Sequence, residues 1–275
     1  MVGMKSNGLL GLIAFSKARK DILILLLEGS KSLAEIKENL HVSSPNILPR
    51  LKELLNKNLI CKKNDRYSLT PIGISVINNF CMLTNTFQVI EKNEQFFRDH
   101  QINSLPQCFV DRIGMLGRCN VIGHRLENIG ITHDILLENI LKSKRLLWVT
   151  PILHEEYPLS ILRLARQDIP VSLIFTKKIF HTFINDHYVD LSNILKQQNI
   201  SLHVMGEDVN FFLIETDRQL LLSFAYTNGD FDYTNMLTST DKTALAWGRE
   251  LFKYYEKNSK NIILNDITSN KICEV

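Results

Sequence analysis

The amino-acid sequence contains no long apolar stretch. Its longest uninterrupted aliphatic run, residues 22–27, has six members, whereas a membrane-spanning helix needs about 20. Residues 1–15 are mildly apolar, with Lys5 near the start, and no small-residue cleavage site stands out after them. We therefore expect no membrane partner, no signal peptide and a cytoplasmic location.

The sequence also lacks the clusters that hold metals or form disulfides. It has no C-x-x-C pair and no H-x-x-x-H or H-E-x-x-H pattern, and its five cysteines are scattered: Cys61, Cys81, Cys108, Cys119 and Cys273. An odd, dispersed set is typical of free thiols in a reducing cytosol. Cys108, Cys119 and His124 come nearest to a metal cluster, but metal sites use tighter spacings. We predict no metal and no cofactor.

Sequence motifs for catalysis are missing as well. The nucleophile elbow G-x-S-x-G, the phosphate loop G-x-x-x-x-G-K-[ST] and the dinucleotide fingerprint G-x-G-x-x-G do not occur. The phospholipase D fold uses H-x-K-x-x-x-x-D, but His203 is followed by Val204 and Met205 rather than by a lysine at the required place. We predict no catalytic residues and a function other than catalysis.

Positive charge is concentrated near the N-terminus. Residues 1–70 hold twelve Lys and Arg against six Asp and Glu, a net charge of +6, within a chain whose total is +3. The remaining residues therefore carry a net charge of −3. This asymmetry indicates a polyanionic partner for the N-terminal part, although charge alone is equally compatible with a solvated basic surface.

The first 70 residues have the order of a winged helix-turn-helix. We predict helices over residues 16–27, 32–40 and 43–57, and a hairpin of strands at 59–62 and 66–69. The second helix opens with a capping box at Ser32 and Glu35. The third opens with Ser43, Ser44 and Pro45, although Pro49 predicts an irregular first turn.

A long helix is predicted to follow, over residues 71–97. Its apolar positions recur every three or four residues over about five turns, at Ile72, Val76, Phe80, Leu83, Phe87 and Ile90. This seam favours a linker and dimerisation helix within residues 71–105, and packing on its own chain is an equally good interpretation. Residues 103–106 resemble a linker, so we place a domain boundary near residues 100–106.

Helices and strands alternate in the second half of the sequence. Buried strands are predicted at residues 146–151, 171–176, 200–205, 211–216 and 219–226, and the last two form a hairpin. Helices are predicted at 132–143, 159–167 and 241–257, and two helices are predicted across residues 177–198. This pattern indicates an α/β domain over residues 106–258, followed by a flexible tail at 259–275.

Short segments in both halves resemble a known family. In the first half they are residues 26–29 (Leu-Leu-Glu-Gly), 42–45 (Val-Ser-Ser-Pro), 48–54 (Leu-Pro-Arg-Leu-Lys-Glu-Leu) and 69–73 (Leu-Thr-Pro-Ile-Gly). In the second half they are residues 149–154 (Val-Thr-Pro-Ile-Leu-His), 157–158 (Tyr-Pro), 244–248 (Ala-Leu-Ala-Trp-Gly), 250–252 (Glu-Leu-Phe) and 254–255 (Tyr-Tyr). Their order resembles archaeal winged-helix transcription regulators whose middle domain is named after a methanogenesis regulatory protein. The resemblance implies sequence-specific gene regulation, and an effector-sensing domain whose effector it does not identify.

Double-stranded DNA is the partner expected for the winged helix. With Ile47, Leu51 and Leu54 turned inward, the opposite face of the third helix would enter the major groove. The predicted DNA-binding residues, from this helix and from the wing, are Ser43, Ser44, Asn46, Arg50, Lys52, Lys62, Lys63 and Arg66.

A pocket for a small-molecule effector is expected in the second domain, beyond the carboxyl ends of its strands. The predicted ligand-binding residues are Thr150, His154, Tyr157, Thr176 and Tyr226, between apolar walls of Trp148, Phe175 and Phe224. Ordinary core packing is another interpretation of Trp148 and Phe224, and helix capping of His154. Two other functions remain open: a protein-interaction adaptor, and a phospholipase-D-like enzyme fused to a winged helix.

Overall fold

The computed structural model describes residues 8–123, 140–154 and 157–268. It divides into two compact units, Met1–Thr84 and Asn85–Val275. The sequence placed a boundary near residues 100–106, and the structure places it earlier. The physical reason is that Phe96 and Leu105 belong to the hydrophobic core of the second unit, so much of the expected linker is part of that unit.

The first unit has the predicted winged-helix architecture. Its helices and strands are α1 (Leu9–Ala14), α2 (Lys17–Leu27), β1 (Lys31–Ser32), α3 (Leu33–Leu40), α4 (Ser44–Asn56), β2 (Ile60–Lys63) and β3 (Arg66–Leu69). The strands form an antiparallel sheet in the order β1-β3-β2. Strand β1 was not predicted, because a two-residue strand is too short to show an alternating pattern.

Local interactions explain where α3 begins and ends. The Ser32 hydroxyl accepts a hydrogen bond from the Glu35 backbone N–H at 3.2 Å, and the Glu35 carboxylate accepts one from the Ser32 N–H at 2.6 Å. The predicted capping box is therefore confirmed. The helix ends at His41, whose φ of 51° lies in the left-handed region, and α4 starts three residues later.

Helix α4 continues through Pro49 from Ser44 to Asn56, so the expected irregular first turn does not occur. Pro49 lies on the exposed side of the helix, and it removes only one backbone donor, close to the N-terminus. Ile47, Leu51 and Leu54 are at most 1% exposed. They pack into the core of the first unit, as the sequence predicted.

Helix α5 (Pro71–Lys92) begins in the first unit and ends in the second. The Thr70 hydroxyl donates to the Asn58 carbonyl at 2.7 Å and accepts from the Gly73 N–H at 3.0 Å. A Cβ at Gly73 would lie 1.9 Å from the Leu59 carbonyl oxygen, so only glycine permits this approach.

The sequence predicted this helix to extend to residue 97, but the structure ends it at Lys92. The Asn93 amide donates to the Val89 carbonyl at 2.9 Å and lies 3.4 Å from the Cys119 sulfur. Such a bond to the preceding turn competes with continuation of the helix. A separate helix, α6 (Glu94–Asp99), follows.

The second unit is an eight-stranded sheet with helices on its faces. Its strands are β4 (Asn120–Gly123), β5 (Leu146–Thr150), β6 (Val171–Thr176), β7 (Ile200–Met205), β8 (Phe211–Thr216), β9 (Leu220–Phe224), β10 (Asn235–Ser239) and β11 (Ser259–Ile262). Its further helices are α7 (Gln107–Val110), α8 (Tyr157–Ala165), α9 (Lys177–Asp186), α10 (Tyr188–Leu195), α11 (Lys242–Lys257) and α12 (Leu264–Thr268). Single 3-10 turns lie at Ile102–Ser104 and Ile113–Leu116.

The strand order is β11-β7-β6-β5-β8-β9-β10-β4. Strands β5, β6 and β7 are parallel, and every other neighbouring pair is antiparallel. The predicted α/β layering and the β8–β9 hairpin are confirmed. Successive residues of a strand point to opposite faces, so Trp148 and Val149 belong to two different core clusters.

The C-terminal segment corrects another prediction. Residues 259–275 were expected to be a flexible tail, but Ser259–Ile262 pairs antiparallel with β7, and Leu264–Thr268 is helical. Ile262 and Ile267 are buried, and this burial stabilises the segment against the sheet. Residues 269–275, and most of the helix predicted at 132–143, lie outside the described residues.

No helix in the described ranges is both long enough and apolar enough to cross a membrane.

Candidate functional site

The outer face of α4 is the first candidate site. Ser43, Asn46 and Lys52 are exposed, and Ser44 and Arg50 are partly exposed. Ser43 is the N-cap residue of α4, but its hydroxyl makes no capping hydrogen bond to the helix, unlike a typical N-cap serine. The structure therefore brings the predicted residues of this helix to one polar, partly cationic surface.

The wing is the hairpin of β2 and β3. Asn64 and Asp65 form its two-residue turn, with φ of 46° and 58°, the left-handed conformations that tight hairpin turns require. Lys62 pairs with Asp65 at 2.8 Å, and its ammonium lies 5.6 Å from the centre of the Tyr67 ring. This pairing raises the pKa of Lys62 and lowers that of Asp65.

Arg66 is held within the first unit, although the sequence assigned it to phosphate binding. Its guanidinium donates to the Ser30 carbonyl at 2.7 Å and to the Ser30 hydroxyl at 3.2 Å, and it pairs with Glu35 at 3.0 Å. Hydrogen bonds from the Ser32 backbone and side chain, and then from Arg66, lower the pKa of Glu35 to about 2. In this structure Arg66 ties the wing to α3.

The remaining predicted cations are not paired in this way. In the part of the chain that the structure describes, none of the ion pairs involves Arg50, Lys52 or Lys63. Their positive charge is therefore not neutralised by a neighbouring carboxylate. Sequence reasoning could not separate these three from Arg66, because the partners of Arg66 lie about thirty residues away along the chain.

The second candidate site lies at the carboxyl ends of β5 and β6. The Thr150 hydroxyl donates to the Ile152 carbonyl at 2.6 Å, and the Thr176 hydroxyl accepts from the Ile179 N–H at 3.3 Å and caps α9. Both side chains are buried. Each hydroxyl thus organises the chain that leaves its own strand.

Tyr157 and His154 follow β5 closely. The Tyr157 ring packs edge-on against Trp148 with centroids 4.6 Å apart, and the His154 ring lies 5.6 Å from Tyr157. Burial raises the pKa of the Tyr157 phenol. The Trp148 indole N–H is buried and has no hydrogen-bond acceptor within the described residues. It is therefore a donor that a ligand in this cluster could accept from.

Tyr226 does not join this cluster. Trp148 and Tyr157 belong to the core on one face of the sheet, and Phe224 belongs to the core on the other. Tyr226 stacks on His100, whose other neighbour Phe96 contacts Phe224. The sheet therefore separates Tyr226 from Trp148 and Tyr157, a division set by the alternation of side chains along strands.

A cavity of about 400 Å³ lies beside Tyr226. It is bounded by the end of α5, by α6, and by β4 and the loop before β10. His100 forms its floor: one ring nitrogen lies 2.7 Å from the Phe96 carbonyl and the other 2.9 Å from Asp232. Apart from Tyr226, none of these residues was predicted from the sequence to line a site. The polar loop at residues 226–235 was the only signal, since such loops often carry turn-forming side chains.

Within the described residues, no cluster of three or more His, Cys, Asp or Glu side chains is placed to hold a metal ion. Cys108, Cys119 and His124 came nearest to a metal cluster in the sequence. Cys108 and Cys119 are free thiols, and His124 lies outside the described part of the chain.

Comparison with known families matches both units. The model described as "Methanogenesis regulatory protein FilR1, N-terminal domain" matches residues 9–91, and that described as "Methanogenesis regulatory protein FilR1, middle domain" matches residues 131–258. The chain belongs to this archaeal regulator family. The resemblance drawn from the short sequence segments is confirmed.

A curated relative in the regulator family is the methanogenesis regulatory protein FilR1 of Methanothrix harundinacea (strain 6Ac). It is 25% identical over 262 residues, which are 93% of this chain and 58% of the relative. The chain therefore spans little more than half the length of that relative.

Two solved structures are distantly similar. TrmBL2, an archaeal chromatin protein, has a TM-score of 0.42 at 12% identity, with 93% of this chain and all of that chain covered. Phosphatidylserine synthase from Haemophilus influenzae Rd KW20 has a TM-score of 0.37 at 11% identity, with 54% and 41% covered. Because both TM-scores are low, neither similarity bears on the function of this chain.

Proposed function

We propose that this chain is a transcription regulator that binds double-stranded DNA in the cytoplasm and is not an enzyme. The observation that carries the proposal is the outer face of α4, where Asn46 and Lys52 are exposed and Arg50 is partly exposed on one shoulder, while Ile47 and Leu51 are buried. A helix held by its apolar face and presenting amide and cationic groups suits the major groove. Membership of a regulator family supports the same function.

The proposed contacts divide by chemistry. Ser43 and Ser44 lie at the N-terminus of α4, where hydroxyl and backbone N–H groups bind phosphate or base edges. Asn46 and Arg50 have side chains able to bond base edges in two places. Lys52 and Lys63 bind the phosphate backbone, while Lys62 and Arg66 contribute charge from positions already held by neighbouring carboxylates.

A homodimer is part of the proposal. Helix α5 exposes large apolar side chains on its surface, at Ile72, Ile74, Met82, Leu83, Phe87 and Ile90. Exposed apolar area of this extent along one helix favours burial against a second copy. A two-fold dimer would present two α4 helices to DNA and favour a palindromic operator.

Effector control completes the proposal. Thr150, His154, Tyr157 and Thr176 remain candidates at the carboxyl ends of β5 and β6, and Tyr226 belongs to the cavity on the opposite face of the sheet. The buried Trp148 N–H, which has no hydrogen-bond acceptor among the described residues, supports a hydrogen-bond acceptor as ligand in the first group. A bound effector alters DNA binding only if its affinity differs between the DNA-binding states.

The test begins with duplexes selected by the wild-type protein from a randomised library. Arg50→Ala should weaken binding to the selected duplex by about 1–3 kcal/mol and relax selection at one base pair. Lys253→Ala, an exposed lysine on α11 of the second unit, is the matched control and should bind like wild type. An adaptor that binds protein rather than DNA would enrich no sequence. Recovery of a random pool would overturn the proposal.

A further inference from the structure

The cavity beside Tyr226 has a rigid floor. Asp232 is 1% exposed and accepts hydrogen bonds from the Thr234 N–H at 2.7 Å, from the Asn235 N–H at 3.0 Å and from the Asn235 amide at 2.9 Å. His100 completes its shell and stacks between Phe96 and Tyr226, with ring centroids 4.1 Å and 4.7 Å away. A pocket built on such a network is formed before any ligand arrives.

The charges around the cavity balance. Glu94 pairs with Arg98, and both nitrogens of His100 face acceptors, one of them the carboxylate of Asp232. The two other charged residues of the lining, Lys92 and Asp99, have opposite signs. The cavity therefore offers no net charge to attract an ionic ligand.

Neutral polar groups make up most of the remaining lining, namely Asn93, Gln95, Asn120, Tyr226 and Asn235. An amide both donates and accepts hydrogen bonds, and so does a phenol. A ligand hydroxyl has the same dual character, so it can satisfy either partner. Phe96 and Val121 add apolar surface suited to C–H groups.

We propose that this cavity binds a small uncharged molecule with several hydroxyl groups, of about monosaccharide size. The volume of about 400 Å³ falls in the range of small-molecule sites. Asn120 and the Tyr226 hydroxyl bind ligand hydroxyls, and the Asn235 amide oxygen accepts from them. This differs from the group around Trp148 and Tyr157, which lies on the other face of the sheet.

The position of the cavity gives it a route to regulation, which rests on the proposed DNA-binding function. Lys92 and Asn93 line the cavity, and Lys92 is the last residue of α5. The first turn of the same helix is capped by Thr70 in the first unit. A ligand in the cavity therefore contacts the helix that both units share.

The experiment measures ligand binding to the full chain by calorimetry, without DNA. The neutral probes are D-glucose, D-ribose and myo-inositol, and D-glucuronate and D-glucosamine are charged counterparts. At least one neutral probe should bind with a Kd below about 10 mM, and the charged counterparts should bind more weakly.

Two variants test the assigned groups. Asn120→Ala removes an exposed amide, and Tyr226→Phe removes a hydroxyl while it keeps the ring that stacks on His100. Each should weaken binding by about tenfold, as expected for loss of one well-formed hydrogen bond. Asn265→Ala, an exposed asparagine on α12, should bind like wild type.

Three results would overturn the proposal: no binding of any neutral probe, equal or tighter binding of a charged counterpart, or wild-type affinity in both cavity variants. Because the readout contains no DNA, failure of the DNA-binding proposal leaves this result unaffected. A separate titration of the operator complex with the bound probe then reports the regulatory step.

Discussion

Asp232 is the clearest case of one side chain organising its surroundings. Burial raises the pKa of this carboxyl group, but hydrogen bonds from Thr234, Asn235 and His100 outweigh burial and lower the pKa to about 2. Both ring nitrogens of His100 face acceptors, the Phe96 carbonyl at 2.7 Å and the Asp232 carboxylate at 2.9 Å. The Asp232 carboxylate is thus buried within a shell of hydrogen-bonding partners.

The first prediction concerns Asp232→Asn. The folded pKa of about 2 lies below the unfolded value of 3.8. Ionised Asp232 therefore stabilises the folded protein above about pH 4, and this stabilisation is lost as the pH falls through 2. The variant should be less stable than wild type at pH 7 by on the order of 2 kcal/mol. Urea unfolding from pH 7 to pH 2.5 should show this gap narrowing, and a gap that stays constant would contradict the account.

Side-chain partners explain why residue roles were harder to predict than residue positions. The exposed set on α4 followed from the spacing of Ile47, Leu51 and Leu54. The role of Arg66 did not, because Ser30 and Glu35 reach it only after the hairpin has folded. The structure places Tyr226 on the other face of the sheet from Trp148, and the sequence could not show this because the face depends on the register between strands, which no local pattern reveals.

Secondary-structure elements were predictable where their apolar patterns were strong. Strands β6, β7 and β8 have the predicted bounds, because at least half of the positions in each are buried. Strands β4, β10 and β11 lie at or next to the sheet edges and have fewer than half of their positions buried, so their sequences show no clear alternation. Tertiary pairing forms them, and sequence alone carries little of that information.

Helix α5 is the proposed dimer surface. Leu83 is 46% exposed, so Leu83→Asp should leave the fold intact and disrupt a dimer interface by placing an unpaired charge in it. Phe80 is a poorer test because it packs against the core of the first unit. Light scattering at micromolar concentration should show a wild-type dimer and a Leu83→Asp monomer.

The matched control is Asn78→Asp, an equally charged change at an exposed polar position of the same helix. It should remain dimeric. A monomeric wild-type protein, or dissociation of both variants alike, would rule out α5 as the dimer surface.

The whole molecule separates its charge between the two units. The net charge of +6 in residues 1–70, against −3 in the rest, confines attraction for a polyanion to the winged helix. Counterions released from DNA make such binding weaken as salt rises, with a slope of about −0.9 per phosphate contact. Arg50, Lys52 and Lys63 are the wing and α4 cations without an ion-pair partner in the described ranges.

The salt dependence of duplex binding reports whether the cations of α4 and the wing contact DNA phosphates. Fluorescence anisotropy at increasing salt should give wild-type protein a steep linear fall of log Kobs with log salt concentration. Lys63→Ala should bind more weakly on every duplex, with a slope smaller by about one, while Lys253→Ala should retain the wild-type slope. Duplex binding that is absent at low salt, or a Lys63→Ala slope equal to that of wild type, would contradict the account.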